Sequence, residues 1–425
     1  MRFATLAEWL DWQETLHPRA IDLGLERPAR VLRRLEVQMP TGGVVTIGGT
    51  NGKGSCVAFL DAMLRAAGRC TGAYTSPHLC HYNERICIDG GQATDAAIMD
   101  AFQRVDEARG EISLTYFEFS TLAAIWLFAQ ARCDTWVLEV GLGGRLDAVN
   151  IIDADVALIS SIDLDHQDWL GTDRAAIGFE KAGIMRKNHP VVLGESDPPA
   201  SVLAHARTVG ARVLRLGRDF RFSESEGSWC WLGAGHRLEG LPFPAMAGRH
   251  QLANAACAIA ALDALSPGSA LPAAAIVSGL SEARAPGRFQ IAPGSPEWVF
   301  DVAHNPAAAV ALARNLAARP AAARTHVILG MLADKDVARF ASALRPQVDR
   351  WYAADLSHFG RGLSDRTLQA RLGGIVENTL AGTVEDACVL VDRIAAAEDR
   401  VVVCGSFHTV GAALRHRKTA RAAAF

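Results

Sequence analysis

The chain has 425 residues, 50% of them hydrophobic and 21% charged, enough apolar material for two domains with sizeable cores. A formal net charge of −3 gives no electrostatic basis for binding nucleic acid or an anionic membrane. The nine cysteines are odd in number and contain no C-x-x-C pair, which argues against a zinc ribbon or a disulfide framework and for free thiols in a reducing cytoplasm.

The amino-terminal stretch is interrupted by Glu8, Asp11 and Glu14, which a secretory apolar region would not tolerate. Residues 122–131 form the longest uncharged apolar run and are far too short to span a bilayer. A soluble cytoplasmic protein with no membrane or nucleic-acid partner is expected.

The first forty residues have a helical period, with Trp9, Trp12 and Leu16 on one face. Residues 44–47 (VVTI), bounded by glycines, predict a buried strand, and residues 56–67 predict a helix. Between them lies GTNGKGS (49–55). A glycine-rich turn from strand to helix aims successive backbone N–H groups at one point, where the helix dipole adds positive charge. Lys53 supplies a cation for phosphate oxygens and Ser55 a hydroxyl for Mg²⁺. The loop departs from G-x-x-x-x-G-K-[ST], since position 47 is Ile and Gly54 precedes Ser55. A tight turn using glycines only for their backbone freedom is the plainer alternative.

Strand-like runs follow at 135–140, 156–162, 190–193 and 212–216, separated by helical patterns at 120–131 and 174–185. Such alternation predicts a mostly parallel sheet covered on both faces. Residues 223–239 read as a small antiparallel excursion on its edge. Arg284, Ala285, Pro286, Gly287 and Arg288 form a turn-rich joint. Beyond it, apolar runs at 298–300, 326–329, 350–352 and 401–404 alternate with Ala-rich helices such as 307–318. The expected division is a P-loop-type α/β domain over 1–285 and a smaller Rossmann-like α/β domain over 286–425.

Glu139 closes the run TWVLEV, at the strand end where open α/β sheets bind ligands. Mg²⁺ favours such an oxygen donor, though an ion-paired or capping carboxylate has the same appearance. Arg145 and Asp147, in the following GLGGRLD, could simply pair with each other. His166 sits among Asp163, Asp165 and Asp168, as a ligand, a proton carrier or a satisfied polar residue. By pattern alone Lys181 is an ordinary helical lysine, and Ser76 a turn initiator. Asp301 follows an apolar strand, and Arg288 lies at the domain joint.

Together these motifs resemble the folylpolyglutamate synthase/dihydrofolate synthase family within the Mur ligase superfamily. The resemblance runs from about Asp22 to Thr409, through GTNGKGS (49–55), TSPH (75–78), TYFEF (115–119), EVGLGGRLDA (139–148), DHQDWLG (165–171), EKAGI (180–184), HQLANA (250–255), PGR (286–288) and DVAHNP (301–306). It makes the unusual loop the family's own version. It implies that Gly52, Lys53, Gly54 and Ser55 hold ATP phosphates, and that Asn254, Arg288 and Asp301 contact ATP. Ser76, Glu139 and His166 would bind Mg²⁺, and Lys181 would be the family's carbamylated lysine. Lys53, Lys181, His166 and Arg288 form the implied catalytic set. Asp22, Leu23, Gly24 and Leu25, with Thr115, Phe117, Leu146, Asp147 and Ala148, match pterin-site positions of bifunctional members.

The implied reaction phosphorylates the folate carboxylate with ATP, after which the amine of L-glutamate displaces phosphate. Domain closure would exclude water from the acyl phosphate. Dihydropteroate, tetrahydrofolates and L-glutamate are the expected partners, and a monomer the expected state. A muramyl-peptide ligase is disfavoured because too few residues precede Gly49 for a separate sugar-nucleotide domain. A nucleotide switch would have no need of Lys181, Arg288 or Asp301.

Overall fold

The computed structural model describes residues 2–422 except 234, 267, 269 and 270. They fall into two compact units. The first holds residues up to 78, 83–245 and 251–284; the second holds 79–82, 246–250 and 285 onward.

The first unit is built on an eight-stranded sheet of β1 (Val44–Gly48), β2 (Thr71–Tyr74), β3 (Ile86–Ile88), β4 (Gly91–Gln92), β5 (Thr135–Glu139), β6 (Val156–Ile159), β7 (Pro190–Leu193) and β8 (Arg212–Arg215). Its order is β4-β3-β2-β5-β1-β6-β7-β8. The six strands from β2 to β8 in that order run parallel, and β3 and β4 are an antiparallel addition at one edge. β1 is central and every residue of it is buried, as a β-branched run flanked by helices on both faces requires. Its neighbours β5 and β6 deliver their carboxyl ends beside the loop that follows β1. That arrangement concentrates the chemistry at one end of the sheet.

Local signals set the helix limits. The helix Tyr116–Gln130 starts four residues earlier than apolar period suggests, because Thr115 and Glu118 form a reciprocal capping box. The helix Arg174–Ala182 stops at Gly183, three residues short of the expected end.

Residues 223–239 are not an edge extension of the large sheet. They belong to a separate three-stranded antiparallel sheet of β9 (Arg221–Ser225), β10 (Ser228–Leu232) and β11 (Arg237–Leu241), with β10 in the centre. Alternation in Ser-Trp-Cys-Trp-Leu buries Trp229 and Trp231 on one face. Their indole N–H groups donate to the carbonyls of Pro242 at 2.8 Å and Ala256 at 3.1 Å. With this face anchored, the strands need no pairing with the main sheet.

The second unit has a six-stranded sheet: β12 (Gln290–Ala292), β13 (Glu297–Phe300), β14 (Thr325–Leu329), β15 (Arg350–Asp355), β16 (Asn378–Thr383) and β17 (Arg400–Cys404), in the order β12-β13-β17-β14-β15-β16. Only β12 is antiparallel to its neighbour. Val299, Val327, Leu329 and Val402 face one core, while Trp298, Phe300, Ile328 and Val403 face the other. The period-two alternation of each strand thus feeds two helical layers.

Candidate active site

In the first unit, the segment after β1 turns sharply into the helix Lys53–Ala66. Gly49 has φ +143°, and a Cβ there would come 2.0 Å from Ser160 Oγ. Gly52 has φ +89° and is the helix N-cap, with no side chain capping the first turn. An uncapped helix start leaves N–H donors and the dipole's positive end for an anion. The loop is braced against the end of β6: Thr50 N–H donates to Ser161 O at 2.7 Å, Asn51 N–H to Ser161 Oγ at 2.9 Å, and Ser160 Oγ to Asn51 O at 2.7 Å. Lys53 Nζ curls back to Gly49 O at 3.0 Å. Ser55 is buried and its hydroxyl receives Gln251 Nε2 at 3.3 Å; Gln251 Oε1 in turn accepts from Asn254 Nδ2 at 2.9 Å. Asn254 lies directly against the loop, since a Cβ at Gly52 would sit 2.6 Å from its Oδ1.

Glu139, 2% exposed, ends β5 beside this loop. Its Oε2 accepts Ser76 N–H at 3.2 Å, so these two predicted ligands are direct neighbours. His166 follows β6 at the N-cap of the short helix Gln167–Leu170, with φ 50°, and its N–H donates to Asp165 Oδ1 at 2.9 Å. Among the described residues no cluster of three or more His, Cys, Asp or Glu side chains is placed to hold a metal. Glu139 and Ser76 are hard oxygen donors, which fit Mg²⁺; a nitrogen from His166 is the less usual partner.

Lys181 is no ordinary helical lysine. It is 4% exposed, and burial lowers it to about 7, with Lys53 pushing the same way and Asp165 opposing. Asp147 is raised to about 7 by burial, although Leu142 N–H and Val149 N–H donate to its two oxygens at 2.8 and 3.0 Å. Those bonds hold the GLGGR turn. They also explain why Arg145 and Asp147 do not pair: Arg145 instead forms an ion pair with Glu180 at 2.9 Å.

The pterin-site candidates are linked through contacts that the motifs did not predict. Arg27 forms an ion pair with Asp22 Oδ2 at 2.7 Å, donates to Asp22 O at 2.8 Å, and pairs with Glu118 at 3.0 Å. Glu118 Oε2 accepts Thr115 N–H at 2.7 Å, which ties the Asp22–Leu23–Gly24–Leu25 segment to the helix carrying Thr115 and Phe117. Phe117 is partly exposed and abuts the GLGG turn, for a Cβ at Gly141 would meet its ring at 2.5 Å. Leu146 is partly exposed and Ala148 buried on the far side of that turn. Arg27 and Glu118 thus connect the candidate segments, a link that the motifs did not display. The T-x-x-E spacing of a capping box could have flagged Glu118.

In the second unit, Asp301 immediately follows β13, and its oxygens accept Phe289 N–H at 2.9 Å and Ala303 N–H at 2.8 Å. Burial raises it to about 6 against those bonds and Arg288. The Arg288 guanidinium lies 5.4 Å from the Phe407 ring centroid, and the His304 ring lies 6.3 Å from the same ring at a tilt of 52°. Burial, with Arg288 second, lowers His250 to about 4, so it stays neutral beside that cation. His304, His250 and Phe407 were not singled out from the sequence.

Comparison with known proteins places this geometry. The Mur ligase middle domain matches residues 47–262, and the Mur ligase glutamate ligase domain matches 287–407. The dihydrofolate synthase/folylpolyglutamate synthase of Escherichia coli strain K12 is 46% identical over 405 residues, 95% of this chain and 94% of its own. The structure of E. coli FolC in complex with DHPP and ADP superposes with a TM-score of 0.93 at 44% identity, covering 98% of this chain and 99% of that one. A bifunctional folylpolyglutamate synthase/dihydrofolate synthase with Mn, AMPPNP and L-glutamate bound gives 0.91 at 43% identity, with 98% of each chain covered. A phosphate loop after the first strand, a carboxylate at the end of its neighbour and near-complete coverage at this identity lead to one conclusion: the chain belongs to the dihydrofolate synthase/folylpolyglutamate synthase family of Mur-type ligases.

Proposed function

We propose that this chain is an ADP-forming ligase that joins L-glutamate to dihydropteroate and to tetrahydrofolates. The observation that carries the reading is the uncapped helix start at Gly52, with Lys53 against its own loop and Glu139 at the end of the adjacent strand. ATP phosphates accept from the backbone N–H groups of Gly52, Lys53, Gly54 and Ser55, and Lys53 exchanges loop carbonyls for phosphate oxygens. Asn254 borders the same loop. Ser76, Glu139 and His166 would hold Mg²⁺, which would supply charge neutralisation on the phosphate oxygens.

The folate carboxylate attacks the γ-phosphorus in line, giving an acyl phosphate and ADP. The glutamate amine then adds to the acyl carbon, and phosphate leaves. No side-chain nucleophile is required, because positioning and electrostatics suffice. Arg288 offsets developing negative charge and Asp301 contacts ATP, its carboxylate oriented by Phe289 N–H and Ala303 N–H. Lys181, lowered to about 7, has a neutral amine available to CO₂. Its carbamate would turn a buried cation into an anion facing Lys53. Phe117 and Leu146 supply apolar contact for a pterin. Arg27 holds Asp22, Leu23, Gly24 and Leu25 in place, while Thr115, Asp147 and Ala148 shape the opposite wall. Among the described residues no helix is long and apolar enough to cross a membrane; the nine free thiols suit the cytoplasm, and the enzyme acts as a monomer on small molecules.

Mass spectrometry of products tests the reading. Dihydropteroate and tetrahydrofolate, each with Mg²⁺, ATP and L-glutamate, should each gain a glutamyl unit. Asp22→Ala should depress dihydropteroate use more than tetrahydrofolate extension. An inert dihydropteroate would sink the dual activity, and ATP hydrolysis indifferent to glutamate would sink the ligase.

A further inference from the structure

The cysteines have no part in the ligase chemistry, and all nine are free thiols. Two of them meet at the end of the large sheet opposite the glycine loop. Cys70 immediately precedes β2, and Cys133 lies two residues before β5, its parallel neighbour, where Thr71 pairs with Thr135. Asp134 N–H donates to Cys70 O at 2.8 Å, and Cys70 N–H to Asp134 Oδ2 at 2.8 Å, so the two strand starts are fixed together. With strands about 4.8 Å apart and about 3.3 Å per residue, a one-residue diagonal separates Cα atoms by roughly 6 Å. Disulfides bridge Cα atoms about 4.4–6.8 Å apart.

Side-chain direction agrees. Cys70 and Gly72 share a face of β2, and a Cβ at Gly72 would lie 2.4 Å from the Phe128 ring, so that face looks onto the helix Tyr116–Gln130. Cys133 is held at the end of the same helix by its N–H bond to Phe128 O at 3.0 Å. Thr71 points the other way, to Asp61. The Cys70 thiol lies near enough to the Cys133 thiol to oppose its ionisation. Burial first, then that neighbour, push Cys133 up to about 12. Cys70 is partly exposed and Cys133 buried.

We propose that Cys70 and Cys133 form an oxidation site, which a small-molecule disulfide such as oxidised glutathione converts into an intrachain disulfide. The Cys70 thiolate attacks one sulfur of oxidised glutathione, forming a mixed disulfide and releasing one glutathione thiolate. Cys133 loses its proton to solvent and attacks the Cys70 sulfur, expelling the second glutathione. Two cysteine thiols give up two protons and two electrons, and oxidised glutathione becomes two molecules of reduced glutathione. Because Cys133 resists ionisation, the second step limits the rate and quickens as pH rises. The new bond ties the starts of the two strands whose far ends lead to Ser76 and Glu139.

The test treats the full-length protein with oxidised glutathione at several pH values, blocks remaining thiols by alkylation, and maps disulfide-linked peptides by mass spectrometry. The expected product has two fewer alkylated thiols and one linked peptide pair containing Cys70 and Cys133, formed faster at higher pH. Cys133→Ser should stop at a stable glutathione adduct on Cys70, and Cys70→Ser should give no intrachain link. A Cys70 adduct in the unaltered protein that fails to convert into the Cys70–Cys133 link even at the highest pH, or linkage of other cysteines, would overturn the proposal. Since the decisive mapping uses the unaltered chain, misfolding of a variant cannot mimic either result.

Discussion

Lys181 and Gln13 are both polar residues buried at a cost, and they differ in what that cost serves. Lys181 has a folded pKa of about 7 against 10.5 for an exposed lysine. Below about pH 7 both folded and unfolded chains carry the proton. Between about 7 and 10.5 only the unfolded chain does, so stability rises with pH across that window. The slope is up to roughly 1.4 kcal/mol per pH unit for one proton. Denaturant titrations from pH 7 to 10 should show this rise, and Lys181→Met should flatten it; an unchanged slope in the variant contradicts the assignment. Gln13 is 1% exposed, and neither polar atom of its amide has a hydrogen-bond partner among the described residues. Nothing in the proposed chemistry uses it. Gln13→Leu removes that desolvation penalty, and thermal unfolding should show a gain of about 1–2 kcal/mol. A loss would mean that the amide has a partner, such as a bound water.

At the scale of elements, the turn between β1 and its helix is the most constrained segment. Gly49→Ala forces a Cβ to within 2.0 Å of Ser160 Oγ at φ +143°, a backbone region that L-residues avoid at a cost of about 1–3 kcal/mol. Thermal melts should register that loss, and nucleotide affinity should fall with it, because the loop's N–H groups move. A variant that binds nucleotide normally would show that the loop tolerates displacement. This turn was legible from the sequence because glycine, lysine and serine spacing speaks directly of phosphate. β1, β5, β6 and β7 were legible as apolar runs of the right length. By contrast, β2 (Thr-Gly-Ala-Tyr) and β16 (Asn-Thr-Leu-Ala-Gly-Thr) were missed, since their small or polar residues take strand form from their neighbours' hydrogen bonds. Arg27 and Glu118 escaped notice for a related reason. An ion pair 91 residues apart in sequence leaves no local pattern. Lys181 shows the same limit, for its depressed pKa arises from tertiary burial and from Lys53, neither of which the EKAGI motif displays.

For the whole molecule, Lys181, Asp147 and Asp301 are ionisable groups that burial shifts away from their charged forms, and in the proposed reading bound nucleotide should recover part of that cost. A nonhydrolysable ATP analogue with Mg²⁺ at about 100 times its Kd should stabilise the protein by about 2.7 kcal/mol, read as a raised Tm. Lys53→Ala should lose most of the shift and, because Lys53 Nζ bonds the loop carbonyls of Gly49 and Thr50, should also melt somewhat below the unaltered protein in the absence of nucleotide. A full shift in that variant would remove Lys53 from the phosphate site.

All three sheets are open, and each outer strand is unsuited to adding another. β4 is two residues long and β12 three. β8 begins and ends with arginine, while β9 and β11 carry Arg221, Glu224, Arg237 and Glu239. β16, the longest of them, breaks register against β15 between Ala353 and Asp355. Short, charged or irregular borders deny an incoming chain a flat template. Edge-to-edge growth of the two large open sheets is thereby disfavoured, and engineering that straightens β16 or neutralises β8 should promote it.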